Sequence, residues 1–238
     1  MELIKKQIHM NQWKGNVTTQ ITLDDDFIVP DTLDDMEQVM LDTGEIQIET
    51  VKNQGDKVAV KGKLEFQVLY RKESGGLQTL GGNIPFEEVV NVQGLEEKDY
   101  VGLNWMLEDL NTDMINSRKL GVQAIITLQV RVETLRDVEA AVDVDMENNS
   151  RPAGAGMSDT DGAGQVQVET LKRTANAAAI AVRRKDTYRI KEELSLTGGK
   201  PNIGQLLWRE MKLRDVTAKP LDGRLHLDGE LSVFVIYG

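Results

Sequence analysis

The stretch VKGKLEFQVLYRK (Val60–Lys72) alternates apolar and polar residues around a single glycine. Across Val58–Tyr70 the even-numbered positions are apolar except for Gly62, whereas most of the odd-numbered positions are charged or polar. A period of two residues is typical of a β-strand that buries one face and exposes the other. The stretch therefore predicts a strand, and it sets the expectation that the chain is all-β.

Other segments show the same alternation. Leu120–Val132 is the longest, with an apolar residue at every even-numbered position. Strands that bury one face each are typical of antiparallel sheets, so we predict an antiparallel sandwich or open-barrel-like fold. Shorter strands are predicted at Glu45–Val51, Tyr100–Met106, Val138–Val144 and Tyr188–Leu196.

Two segments show helical spacing instead. DTLDDMEQVM (Asp31–Met40) and KPNIGQLLWRE (Lys200–Glu210) place apolar residues three to four positions apart. One further large apolar residue accompanies each segment: Leu41 directly after the first, and Trp208 near the end of the second. On a helix these two would lie away from the apolar face, so they predict an exposed contact for a partner protein or for the neighbouring unit. The alternative is that the helix has ended and both side chains return to the core.

The chain also contains a weak internal repeat. Sliding the sequence by 167 positions lays Glu2–Arg71 on Glu169–Gly238, and VKGKLEFQVLY then falls on LDGELSVFVIY. We predict a tandem repeat of β units with one short helix each, in which Gly62 and Gly229 are matched bulges or close-packing points. The predicted boundaries are a first unit at 1–146, a linker rich in Gly, Ala and Ser at 147–165, and an incomplete second unit at 166–238.

An incomplete unit would leave an apolar face and strand edges uncovered. We therefore expect the second unit to exchange strands or the protein to self-associate.

The composition disfavours several classes of function. The chain has 238 residues and a net charge of −11, from 39 acidic and 28 basic residues. It lacks the clustered basic residues that bind nucleic acid or an anionic membrane. No apolar run is long enough for a membrane helix, and the first residues do not look like a secretion signal. Because there is also no cysteine, we expect a cytoplasmic protein that is not inserted in a membrane.

Residues that usually carry catalysis or bind metals are scarce. The only histidines are His9 and His226, which stand in unrelated settings. SDTDGAG (Ser158–Gly164) is similar to part of a calcium loop, but Met157 and Val168 then occupy the first and last ligand positions, where oxygen ligands are required. We expect no enzymatic activity, no catalytic residue, no cofactor and no metal.

Two charged features are predicted to be structural. The run Asp24-Asp25-Asp26 falls on Lys191-Glu192-Glu193 in the second unit, which does not support a shared acid–base or metal site, and it is interpreted as a solvated strand or strand end. Arg118 is a lone cation before a long strand, and it is predicted to pair with a carboxylate or with loop carbonyls.

The order of several motifs resembles that of a known domain family. A short turn precedes the glycine-containing strand that ends in Tyr70, and IPFEE (Ile84–Glu88) and INSRKLGVQAIITLQVRV (Ile115–Val132) follow. Together these residues resemble the SPOCS domain of SipL-like spore coat morphogenetic proteins of clostridia. Such proteins commonly carry a C-terminal LysM domain, and no LysM-like segment occurs in these 238 residues.

The resemblance implies a non-enzymatic protein-interaction module of spore coat assembly. Members of the family act in the mother-cell cytosol at the forespore surface and bind the coat-basement ATPase, mainly through the LysM domain. The alternative is a cell-envelope carbohydrate-binding module, which would need exposed aromatic residues on a sheet face.

Overall fold

The computed structural model describes residues 2–145 and 198–238, together with residues 171, 173, 174, 176, 180, 183, 184 and 186–196. All regular secondary structure within these residues is β-strand, which confirms the all-β prediction. The strands in chain order are β1 (Glu2–Ile28), β2 (Met36–Gln54), β3 (Lys57–Lys72), β4 (Leu77–Asn91), β5 (Tyr100–Asn116), β6 (Lys119–Asp145), β7 (Leu206–Leu221) and β8 (Arg224–Tyr237).

The strands form three antiparallel sheets with the orders β1-β6-β5, β2-β3-β4 and β7-β8. The two three-stranded sheets share one apolar core, and within the described residues neither of them closes into a barrel. The apolar positions predicted for β3 and β6 are buried in this core, so the alternation identified both strands and their inward faces. The core residues of these strands are Val58, Val60, Leu64, Phe66, Val68, Tyr70, Leu120, Val122, Ala124, Ile126, Leu128, Val130 and Val132.

The prediction of one short helix per unit was wrong for the described residues. Residues 31–33 form a turn closed by a hydrogen bond of 2.9 Å from Leu33 N to the Pro30 carbonyl, and β2 begins at Met36. Residues 200–205 are irregular, and β7 begins at Leu206. Both segments lead directly into strands paired with β3 or β8, and this pairing outweighs a helical spacing that only three or four apolar residues support.

The shorter strand predictions had mixed outcomes. Glu45–Val51 lies within β2, and Tyr100–Met106 lies within β5. Val138–Val144 is the end of β6 rather than a separate strand, because β1 pairs with β6 along its whole length. Tyr188–Leu196 is irregular and pairs with no described strand, so the prediction there was wrong. Alternation without a partner strand does not produce a sheet.

The hairpins β2–β3 and β7–β8 have the same pairing register, offset by 167 residues. Val39 pairs with Tyr70 in the first hairpin, and Leu206 pairs with Tyr237 in the second. In each hairpin the residue after the first partner of this pair, Met40 or Leu207, is left unpaired by a shift in the register. Another shift lies beside Gly62 in the first hairpin and opposite Gly229 in the second. Both glycines therefore lie at β-bulges, as predicted.

The two glycines differ in how closely they are packed. A Cβ atom on Gly62 would lie 2.6 Å from the Gln47 carbonyl O and 2.7 Å from Phe86 Cζ. A Cβ atom on Gly229 would have Val216 Cγ2 as its nearest neighbour, at 3.4 Å. Close packing therefore requires glycine in the first hairpin and not in the second.

We predict that Gly62→Ala destabilises the first unit by about 1–3 kcal/mol, because the added methyl group collides with backbone and with an aromatic ring. Gly229→Ala is the matched control and should change the free energy of unfolding by less than about 0.5 kcal/mol. Urea denaturation of both variants measures the difference. An equal cost at the two positions would contradict the packing difference.

Candidate functional site

Arg118 holds the loop between β1 and β2 in place. It lies in the turn between β5 and β6, where its guanidinium forms four contacts with that loop. Nη1 donates hydrogen bonds to the Leu33 carbonyl O (2.8 Å) and to Asp35 Oδ1 (3.0 Å). Nη2 donates to the Val29 carbonyl O (2.9 Å) and to Asp31 Oδ1 (3.1 Å). The prediction that Arg118 pairs with carboxylates and loop carbonyls is confirmed.

Further hydrogen bonds hold the same loop. Ser117 Oγ donates to Asp35 Oδ2 at 3.0 Å, and Met36 N donates to the Ser117 carbonyl at 2.9 Å. Tyr70 OH donates to the Asp34 carbonyl at 3.0 Å. Burial raises the pKa of Tyr70, so its hydroxyl remains protonated and available as a donor at neutral pH. The loop is therefore tied to β3 as well as to the β5–β6 turn.

Lys14 forms a second charged cluster at a bulge of β1. The register shift between Trp13 and Gly15 leaves Lys14 unpaired, and its Nζ lies 2.8 Å from both Glu96 Oε1 and Asp99 Oδ2. Hydrogen bonds to Asp99 and Glu96 raise the pKa of Lys14. Burial acts to raise the pKa of Asp99, but the hydrogen bonds from Lys14 and from the Glu96 backbone N–H outweigh it and lower that pKa. This cluster of paired charges ties the loop before β5 to the bulge of β1.

The second hairpin contacts β4 near the start of β7. Thr79 Oγ1 on β4 donates a hydrogen bond to the Leu207 carbonyl. An open cleft of about 760 Å³ lies beside this contact, with Glu45, Glu65 and Gly82 on one side and residues 209–212 on the other. The mixed charges and the open shape of the cleft are typical of a solvated contact region.

Leu41 and Trp208 occupy corresponding places in the two hairpins. Each follows a bulge residue, Met40 or Leu207, that the register shift leaves unpaired. The bulge, and not the end of a helix, accounts for the adjacent large apolar residues. Leu41 is 40% exposed, whereas Trp208 is only 3% exposed next to the contact with Thr79. Only Leu41 is therefore accessible to a separate protein in this structure.

The other candidate residues lie apart from each other. His9 Nδ1 is 2.5 Å from Asp137 Oδ1, and His226 Nε2 is 3.1 Å from Asp228 Oδ1; all four side chains are exposed. In the acidic run, Asp24 accepts a hydrogen bond from Gln123 and Asp26 pairs with Lys119, so its carboxylates have separate partners.

No group of three or more His, Cys, Asp or Glu side chains suited to a metal occurs in the described part of the chain. In the same residues, no helix has the length and hydropathy needed to cross a membrane. Ser158–Gly164 and the predicted linker lie outside the described residues.

Comparison with protein families matches part of the chain. The family described as SipL, SPOCS domain, matches residues 35–115, from the residue before β2 to the penultimate residue of β5. The resemblance to the SPOCS domain is thus confirmed for this part of the chain, and it indicates a spore-related function. The chain has no significant match among curated proteins or solved structures.

We predict that Arg118→Lys destabilises the protein by about 1–3 kcal/mol, because an ammonium cannot replace the guanidinium contacts to both loop carbonyls. Arg71→Lys is the matched control: Arg71 also binds a carboxylate through two nitrogens, at 2.7 and 2.9 Å from Glu37, but both side chains are about half exposed. It should cost less than about 1 kcal/mol. Guanidinium unfolding of both variants measures this, and equal losses would contradict the structural role of Arg118.

Proposed function

We infer that this chain is a non-enzymatic, protein-binding module of spore coat assembly. It acts in the mother-cell cytosol, at the surface of the forespore. The observation that carries the proposal is the SPOCS match over residues 35–115, which comprises β2, β3, β4 and nearly all of β5. Its partners in this role are other coat morphogenetic proteins. In such proteins, contact with the coat-basement ATPase rests mainly on a LysM domain.

The charged clusters support a structural role. Arg118 and Lys14 each use their charge on loops of the first unit, at distances of 2.8–3.2 Å. Active sites instead tend to keep titratable groups poised near neutral pH and accessible from a cleft. Both clusters are better suited to rigid display of a surface than to proton transfer.

The alternative, a cell-envelope carbohydrate-binding module, requires open aromatic faces on which sugars stack. Trp13 and Tyr100 are exposed and both stand opposite Glu133 on β6. However, the Arg131 guanidinium lies 5.9 Å from the Trp13 ring centroid, and that of Arg183 lies 4.1 Å from the Tyr100 centroid. The faces of these two rings are therefore taken up by cations and are less open to a sugar.

An affinity experiment on sporulating cells tests the proposal. The tagged 238-residue chain is used as bait in mother-cell lysates and, separately, is incubated with purified cell-wall polymer; an unrelated acidic domain of equal net charge is the control. We expect enrichment of coat-layer proteins over the control and no retention on the polymer. Retention on the polymer without coat proteins would contradict the proposal and support the carbohydrate-binding alternative.

A further inference from the structure

The second hairpin has one apolar face that none of the described residues covers. Leu213 pairs with Leu231 across the hairpin, and Val233, Leu227 and Leu225 share the same side by the alternation of β8. We call these five residues the hairpin apolar face. Each of them is 40–64% exposed, although a strand face of this composition is normally buried.

The first hairpin shows how such a face is normally packed. The residues at the same register positions of β2 and β3 are Ile46, Val58, Val60, Leu64 and Phe66, and none is more than 7% exposed. They are covered by the sheet β1-β6-β5, and no described residue provides the corresponding cover for β7–β8. The two hairpins therefore have the same pairing but opposite environments.

We propose that the hairpin apolar face is the self-association surface of this protein, and that a second copy of the same face covers it. Two hairpins stacked in this way form a four-stranded sandwich around a two-fold axis, with each face serving as the cover for the other. This inference does not rest on the proposed role in spores. It concerns a surface outside the residues that match the SPOCS family, 35–115.

Charge supports a second copy as the occupant. The whole chain has a net charge of −11, which makes most contacts between copies repulsive. The span 206–237 has five acidic and five basic residues, with the histidine neutral, and is thus electrically balanced. Two copies can approach through this hairpin without bringing their excess negative charge together.

The area of the hairpin apolar face sets the expected affinity of the dimer. At the usual strand rise and spacing, the 14 residues of β8 with their partners on β7 cover roughly 450 Å². Two copies would bury about 900–1,000 Å² in total, which is below the range of stable specific interfaces and typical of weak, transient ones. The proposal is therefore a weak dimer whose population depends on protein concentration and rises with salt as the repulsion between the chains is screened.

Sedimentation of the full chain over a wide concentration range tests the proposal. Wild type should pass from monomer to dimer, and Leu225→Ser combined with Leu227→Ser should weaken dimerisation by about tenfold or more. Phe234→Ser is the matched control: Phe234 is 51% exposed on the same strand but on the opposite face, so the dimer should persist. Because all three side chains are exposed, the unfolding midpoint of the first unit should remain that of wild type.

Site-specific cross-linking provides an independent readout. The chain has no cysteine, so Leu231→Cys and Phe234→Cys each introduce a single thiol. A short bismaleimide should link two Leu231→Cys chains and leave Phe234→Cys chains largely unlinked. Any of four results would overturn the proposal. These are a monomer at every concentration, a dimer that survives the combined leucine substitutions, equal cross-linking at positions 231 and 234, and open-ended oligomers.

Discussion

Burial of apolar side chains between β3 and β6 is the interaction on which the rest of the first unit depends. Both strands contribute an apolar face to one core, and β1, β5, β2 and β4 pair on either side of them. A strand face of this kind is stable only when another apolar surface covers it, since exposure costs about 25 cal/mol for each Å². The same requirement applies to β8, whose corresponding face is exposed.

Charged residues act at the ends of this core. Arg118 and Lys14 stand at a turn and at a bulge, where the chain leaves the regular ladder and backbone groups lack strand partners. Their contacts fix the loop before β2 and the loop before β5. Both loops are therefore held to the two packed sheets by charged hydrogen bonds as well as by apolar packing.

The alternating sequence identified β3 and β6 together with their inward faces, because a period of two residues is a local property. It did not predict β1 or β4. The lone cation Arg118 and the strand glycine Gly62 were singled out separately, for the right physical reasons. The helices were predicted wrongly because a turn followed by a bulged strand can imitate helical spacing over ten residues. Trp208 shows the same limit, since it is buried beside a contact between Leu207 and Thr79 on β4, which are 128 residues apart along the chain.

Two hairpins with the same pairing register differ in the exposure of their apolar faces, because the described residues cover that face only in β2–β3. Hydrogen–deuterium exchange on dilute protein tests this most directly, since it compares Val58–Tyr70 with Leu225–Tyr237 in a single sample. The account predicts that amides of β3 exchange only through global unfolding, whereas those of β8 exchange faster by several orders of magnitude. Equal protection of the two strands in the monomer would contradict it.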